Sequence, residues 1–372
     1  MHFTSSLLAL VALTTQALAF PLNDLPKRDS GLAVKLSSIG NTRVKAVITN
    51  TADHEISFLK FNTFFDSSAT RKVSIAKDGS VVPFNGLYRY YNAAKLPKEA
   101  FKTLAPGASA EATFDIAETS DLSAGGSFSV FSDGMIPVAD GSGTTLTGAI
   151  KYSTNELKMN VDGALAAKVQ SAIPKLEKRT RIDPDCPGEY RNVLTQGLQT
   201  AAGYASRAAE AATNGDQLEE FFKTTDQQTA QNIAQRFQAI AQECGSDSQG
   251  STTYFCDDRF NGCEQGVIAY TIPAQSVVVN CPAYWELPPV VNQGLDPDHG
   301  YVVVHEFTHA TSIFSPGTQD HAYGYENCIR LSPEQCISNA DNYSLYAACR
   351  FCSTPILEYF NANIQAAVSR GG

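Results

Sequence analysis

The first half of this 372-residue chain contains no cysteine; all nine lie between Cys186 and Cys352. That excludes a disulfide framework from the first half and allows one in the second, where an oxidising compartment would preserve it. An odd count also requires at least one thiol that is free or that pairs outside the chain. Lysine is nearly missing from the second half, where only Lys223 follows residue 180. Residues 180–372 hold nine Lys/Arg against 22 Asp/Glu, a formal charge of −13 within a whole-chain −10. So acidic a surface argues against nucleic acid as a partner; it attracts cationic ones. No apolar run in the body of the chain is long enough to span a bilayer, so membrane anchorage is not expected. Composition is otherwise globular, at 43% hydrophobic and 18% charged residues, and the length suits two or three domains.

The strongly apolar run is at the start. Residues 7–18 end in Ala17-Leu18-Ala19, a small-x-small pattern, so residues 1–19 read as a secretory signal peptide. Two dibasic sites follow, Lys27-Arg28 and Lys178-Arg179. The second falls where both the charge and the cysteine content change, which marks it for proteolytic maturation. The expected organisation is a signal peptide (1–19), a β-rich propeptide (20–179) and a mature domain (180–372) beginning at Thr180, exported and monomeric.

Between residues 30 and 150, segments such as Arg43-Val-Lys-Ala-Val-Ile-Thr-Asn alternate apolar and polar residues between turn clusters, as the strands of a small sandwich do. No catalytic constellation stands out there, and a folding aid or a block over a site is the expected role. A polar helix is expected over residues 156–177. In the second half, helical spacing recurs over 190–212 and 218–241, with Asn214-Gly215-Asp216 as break and cap. Short strands follow near 253–256, 267–272 and 276–281; such a ribbon can wall a cleft and pair with an extended peptide. Two more helices are expected near 298–313 and 333–350, with a turn at Pro316-Gly317. The fold class is therefore α+β: a mainly helical domain with a small β-ribbon or sheet, behind a β-rich propeptide.

Six histidines exist, and two fall four residues apart around a glutamate, in Tyr301-Val-Val-Val-His305-Glu306-Phe307-Thr308-His309. Residues i and i+4 share a helix face, so both imidazoles can reach one zinc ion. Zinc lowers the pKa of its water toward about 7, and Glu306 is placed to take that proton. The bland alternative is two histidines satisfied by neighbours. Val302, Val303 and Val304 would bury the helix behind the site.

A catalytic zinc needs a third protein ligand. Ser312 and Ser315 stand where a metzincin has Gly and His, which excludes that class. Glu326 and Glu334 are thermolysin-like candidates. Asp320 is nearer, just past the Pro316-Gly317 turn, and His321 is the chemical alternative beside it.

The helix followed by Gly317-Thr318-x-Asp320-x-x-Tyr323-Gly324, together with Asn339-Ala-Asp341-x-Tyr343-x-Leu-Tyr346-Ala, resembles the deuterolysin, or aspzincin, family of fungal neutral proteases. So do the leader, the long propeptide ending in Lys-Arg and the size of the remainder. The resemblance implies a secreted zinc metalloendopeptidase made as a zymogen, acting on protein or peptide substrates and favouring basic ones. It implies His305, His309 and Asp320 as ligands of one zinc, Glu306 as general base and Tyr323 as oxyanion donor. Asp341 is a second acidic candidate: a third ligand ranked below Asp320, a carboxylate that orients a ligand histidine, or part of a pocket for a basic side chain. The resemblance also implies the bridges Cys186–Cys256 and Cys263–Cys281. Cys244, Cys328, Cys336, Cys349 and Cys352 depart from the family pattern, and structural bridges among them are expected, ahead of a redox or second metal site at Cys349-x-x-Cys352. Asn342-Tyr343-Ser344 is a glycosylation sequon.

Overall fold

A computed structural model describes residues 31–139, 143–175, 181–245, 250–291 and 296–349. The readings on the leader, on Lys178-Arg179-Thr180 and on Cys352 lie outside these residues. Among the described residues no helix is long and apolar enough to cross a membrane.

Residues 31–175 form three antiparallel sheets. One joins Leu32–Ser38, Arg43–Asn50 and Ser109–Asp115; a second carries Leu146–Ser153, Asp133–Ala139, Ile56–Leu59 and Phe101–Leu104 in that order. A third holds Leu157–Val161, Gly126–Phe131, Ser74–Lys77 and Ser80–Val81. Strand geometry sends alternate side chains to opposite faces, and the inward set Leu32, Val34, Leu36, Val44, Ala46 and Ile48 joins Phe58, Val130 and Ile136 in one apolar core. Where a helix is expected over 156–177, the chain instead makes the strand Leu157–Val161 and a single turn, Gly163–Ala166. Leu157, Met159 and Val161 alternate, and Met159 and Val161 are buried, so a period of two prevails over polar composition.

Residues 181–349 are mainly helical. The long helix Gly188–Asn214 packs on Gln227–Gly245 and on the helix His299–His309, which in turn packs on Ala340–Ala348. The second expected helix is broken in two: Leu218–Phe222 ends at Lys223, whose φ of 50° is left-handed, and Asp226 caps the next helix by accepting from Thr229 N at 2.7 Å. The helix carrying the histidines stops at His309 rather than near 313, and the expected helix over 333–350 divides into Pro333–Ile337 and Ala340–Ala348. It divides because Asn339 is drawn into other bonds: its backbone bridges Gln319, and its side-chain oxygen accepts from His321 N and Ala322 N. The overall class is mixed α+β.

The sheet of this half has the order Thr253–Phe255, Val277–Asn280, Val267–Ile272. Its fourth strand comes from the other half. Tyr88–Tyr91 pairs antiparallel with Val267–Ile272, with Tyr270 opposite Arg89 and Thr271 opposite Tyr88. Disulfides join Cys186 to Cys256 and Cys263 to Cys281. Cys349 is also disulfide-bonded. Cys244, Cys328 and Cys336 are free buried thiols, so the expected bridges do not link these three. Buried apolar surroundings suit a thiol as a small core residue.

Candidate active site

The site is built on the helix His299–His309. Asp298 caps it, accepting from Tyr301 N at 2.8 Å, and its other oxygen accepts from Tyr204 OH at 2.5 Å on the long helix. Gly300 permits the crossing of the two helices, since a Cβ there would lie 2.6 Å from Thr200 Cγ2. Every residue of the helix is buried. Beyond it the chain folds back: Thr318 N donates to Thr308 O at 3.0 Å, and Arg236 donates to the carbonyls of Thr308 and Pro316 at 3.1 and 2.8 Å. Gly317 fits because a Cβ would sit 2.3 Å from the His309 carbonyl.

This turn carries Asp320 to the histidines. Asp320 Oδ1 lies 3.2 Å from His305 Nε2 and 3.3 Å from His309 Nε2. Both Nε2 atoms and both Asp320 oxygens are buried without a hydrogen-bond partner. Among the described residues these three side chains are the group able to hold a metal, with ligand atoms within 4.8 Å of one another. Bonds of about 2.0–2.1 Å at tetrahedral angles separate ligand atoms by roughly 3.3 Å, so the spacing observed fits zinc. The far ring nitrogens both face oxygens, and that of His309 is hydrogen-bonded. His309 Nδ1 donates to Thr318 O at 3.1 Å, and His305 Nδ1 lies 3.4 Å from Asp341 Oδ1. A carbonyl only accepts, so Nε2 of His309 keeps its lone pair for a metal. Burial alone would raise Asp320 and depress His305; facing one another, the carboxyl is held far below its ordinary range and the imidazole goes up to about 10. The carboxylate is thus anionic, as a ligand must be, whereas the proton on His305 is one that a bound cation has to displace.

Glu306 lies between the histidines in sequence. Thr271, on the strand Val267–Ile272, donates to its Oε2 at 2.6 Å, while Oε1 has no partner. Burial pushes its carboxyl up to about 7 against the pull of His305 and His309. Asp341 accepts from Tyr301 OH at 2.8 Å and Gly324 N at 2.6 Å, which fixes it behind His305. Tyr323 stacks 5.9 Å from the His305 ring; its OH donates to the carbonyl of Arg89 at 2.7 Å and accepts from Asn62 Nδ2 at 2.6 Å. Residues of the N-terminal half therefore reach the centre. Tyr88 stacks on His309 with ring centroids 4.6 Å apart, and Tyr90 lies 4.4 Å from His305.

Other candidates stand elsewhere. His321 turns away, its Nε2 3.0 Å from Ser338 Oγ, and Glu326 and Glu334 are exposed. Asn342 is buried, donates to Phe221 O at 2.6 Å and accepts from Asn339. The folded chain therefore does not present the sequon. Thr271, Tyr88 and Tyr90 carry no motif, and sequence reasoning does not find them; Thr318 and Asn339 stand inside the Gly317-Thr318-x-Asp320 and Asn339-Ala-Asp341 runs, which carry the signal but not their roles.

A sequence profile of the Deuterolysin metalloprotease (M35) family matches residues 1–357. A Neutral protease 2 homolog of Uncinocarpus reesii is 66% identical over 351 residues, 94% of this chain and 99% of that one. Neutral protease 2 of Aspergillus oryzae is 44% identical over 351 residues, 93% of this chain and 98% of that one. A zinc peptidase from Grifola frondosa aligns with a TM-score of 0.36 at 20% identity, over 44% of this chain and 97% of that one. The chain belongs to the deuterolysin metalloprotease family. It is a metalloendopeptidase with zinc as its cofactor and proteins or peptides as its substrates.

Proposed function

We propose that the chain is the secreted, monomeric precursor of this peptidase, with residues 1–19 a signal peptide, 20–179 a propeptide removed after Lys178-Arg179, and 180–372 the mature enzyme. His305, His309 and Asp320 hold the zinc. The observation that carries this assignment is the set of buried, unpartnered ligand atoms 3.2 and 3.3 Å apart beside Glu306. Zinc held there supplies Lewis acidity to a peptide carbonyl and acidifies the water that attacks it. Glu306, with one oxygen fixed by Thr271 and the other open, takes the proton of the attacking water and passes it to the leaving amine. Tyr323 donates its phenolic hydrogen to the carbonyl oxygen as charge develops. Asp341 and the Thr318 carbonyl hold the two imidazoles in register.

Latency is supported by the strand Tyr88–Tyr91, which takes the free edge of Val267–Ile272 and sets two tyrosine rings on the ligand histidines. A preference for basic proteins accords with the −13 charge of residues 180–372. The direct test of the chemistry is Glu306→Gln in the processed enzyme. It should keep one zinc by metal analysis and lose roughly 10²–10⁴-fold in casein hydrolysis; full activity would sink the mechanism. For maturation, replacing Lys178 and Arg179 with alanine should leave a larger, inactive protein. N-terminal sequencing of the secreted wild type far from Thr180 would refute the boundary.

A further inference from the structure

The strand Tyr88–Tyr91 occupies the edge that an extended substrate would use, antiparallel to Val267–Ile272. Its second residue, Arg89, makes two sets of contacts. The carbonyl of Arg89 accepts from the Tyr323 hydroxyl at 2.7 Å and from Asn62 Nδ2 at 2.8 Å. Tyr323 is the residue assigned above to a scissile carbonyl, so Arg89 stands where the residue preceding a cleaved bond would stand. Its side chain points away from the two tyrosine rings, as strand alternation requires, and is wholly buried. There the guanidinium donates from Nε to the Gly262 carbonyl at 2.7 Å, from Nη2 to Glu264 Oε1 at 2.9 Å and from Nη1 to Asp66 Oδ1 at 2.8 Å. A buried guanidinium needs such partners. Two of the three lie beyond residue 180 and stay with the enzyme when the N-terminal half departs.

We infer that Glu264 and the Gly262 carbonyl form a subsite for a basic side chain on the substrate residue that contributes the scissile carbonyl, and that Arg89 fills it in the precursor. This rests on the peptidase and precursor readings above and names a specificity determinant for them. The loop bearing the subsite is firm. Asp258 accepts from the backbone N–H of both Gly262 and Cys263, at 2.9 and 3.0 Å, and Cys263 is bridged to Cys281. Glu264 lies outside the catalytic machinery, and its side chain is 42% exposed, so solvent screens it and the expected discrimination is modest.

The test uses the processed, zinc-loaded enzyme and three internally quenched peptides that differ only in the residue before the cleaved bond: arginine, its neutral isostere citrulline, or leucine. Mass spectrometry of the products fixes the bond. Wild-type enzyme should favour arginine over citrulline by about tenfold in kcat/KM, the scale of one partly screened charge-assisted bond. Glu264→Gln should bring that ratio close to one; Glu264→Lys should invert it. Equal cleavage of the arginine and citrulline peptides by wild type, or an arginine preference that survives Glu264→Gln, overturns the subsite. Either failure leaves the peptidase reading standing so long as a chelator abolishes cleavage of the leucine peptide. No cleavage of any peptide overturns both.

Discussion

The two halves solve the problem of burial differently. In residues 31–175 the core is apolar and alternating, and the buried charged residues among those described are Asp66 and Arg89, which pair with each other at the seam. In residues 181–349 the interior holds Arg236, Asp298, Glu306 and Asp341 together with three histidines. Buried polar groups without partners are expensive; such atoms occur in both halves, and six of them belong to the four neighbouring residues His305, Glu306, His309 and Asp320. The first half thus needs little more than its pattern to fold. In the second half the densest group of them is the one at His305, Glu306, His309 and Asp320, where a bound cation would satisfy it. The seam between them matters because a strand of the first half, Tyr88–Tyr91, covers that centre.

If that contrast is right, polar substitutions at the centre should abolish chemistry and leave the fold. The largest effect belongs to Asp320→Asn, which removes the carboxylate proposed as the third ligand; zinc content should fall to background and hydrolysis with it, while the circular dichroism spectrum persists. Retained stoichiometric zinc would show that Asp320 is not a ligand. Tyr323→Phe should keep zinc and reduce kcat by roughly 10²–10³-fold, the range for loss of one oxyanion donor; an unchanged kcat would remove Tyr323 from the chemistry. Asp341→Asn acts through His305 and should weaken zinc affinity or activity by about 10–100-fold. A loss as complete as that of Asp320→Asn would instead make Asp341 a ligand.

The same contrast explains what sequence reasoning could reach. His305 and His309 are legible because helical spacing is itself the geometry of the pair. Asp320 is within reach through Gly317, whose close approach to the His309 carbonyl excludes a side chain. Thr271 is not, since among the buried residues Val267–Ile272 it reads as one more β-branched strand residue. Tyr88–Tyr91 escapes for a related reason: all four residues are buried, so no alternation marks the strand, and its partner lies about half the chain away. The division at Asn339 depends on bonds to His321 and Ala322, which no local propensity encodes.

Apolar substitutions in the first half test the other side. Phe58→Ala, in its core, should destabilise the precursor by about 3–5 kcal/mol and lower secreted yield, yet leave the specific activity of the processed enzyme unchanged. A changed kcat/KM after processing would mean that the first half shapes the mature site.

The smallest changes in catalysis concern the staples that only the second half carries. The bridge Cys186–Cys256 spans 70 residues and Cys263–Cys281 spans 18. Loop-closure entropy assigns about 4 kcal/mol to the first and about 3 kcal/mol to the second. Urea unfolding of the two double-serine variants of the processed enzyme should therefore rank them in that order. Only the second bridge holds the loop of Gly262 and Glu264, so removing it should also erode the arginine-over-citrulline preference by a few-fold while the leucine peptide is cut as before. Removing the first should cost more stability and leave that preference alone. If both variants lost selectivity alike, general loosening rather than the short loop would govern it. If the short bridge proved the more stabilising, chain entropy would be the wrong account of these staples.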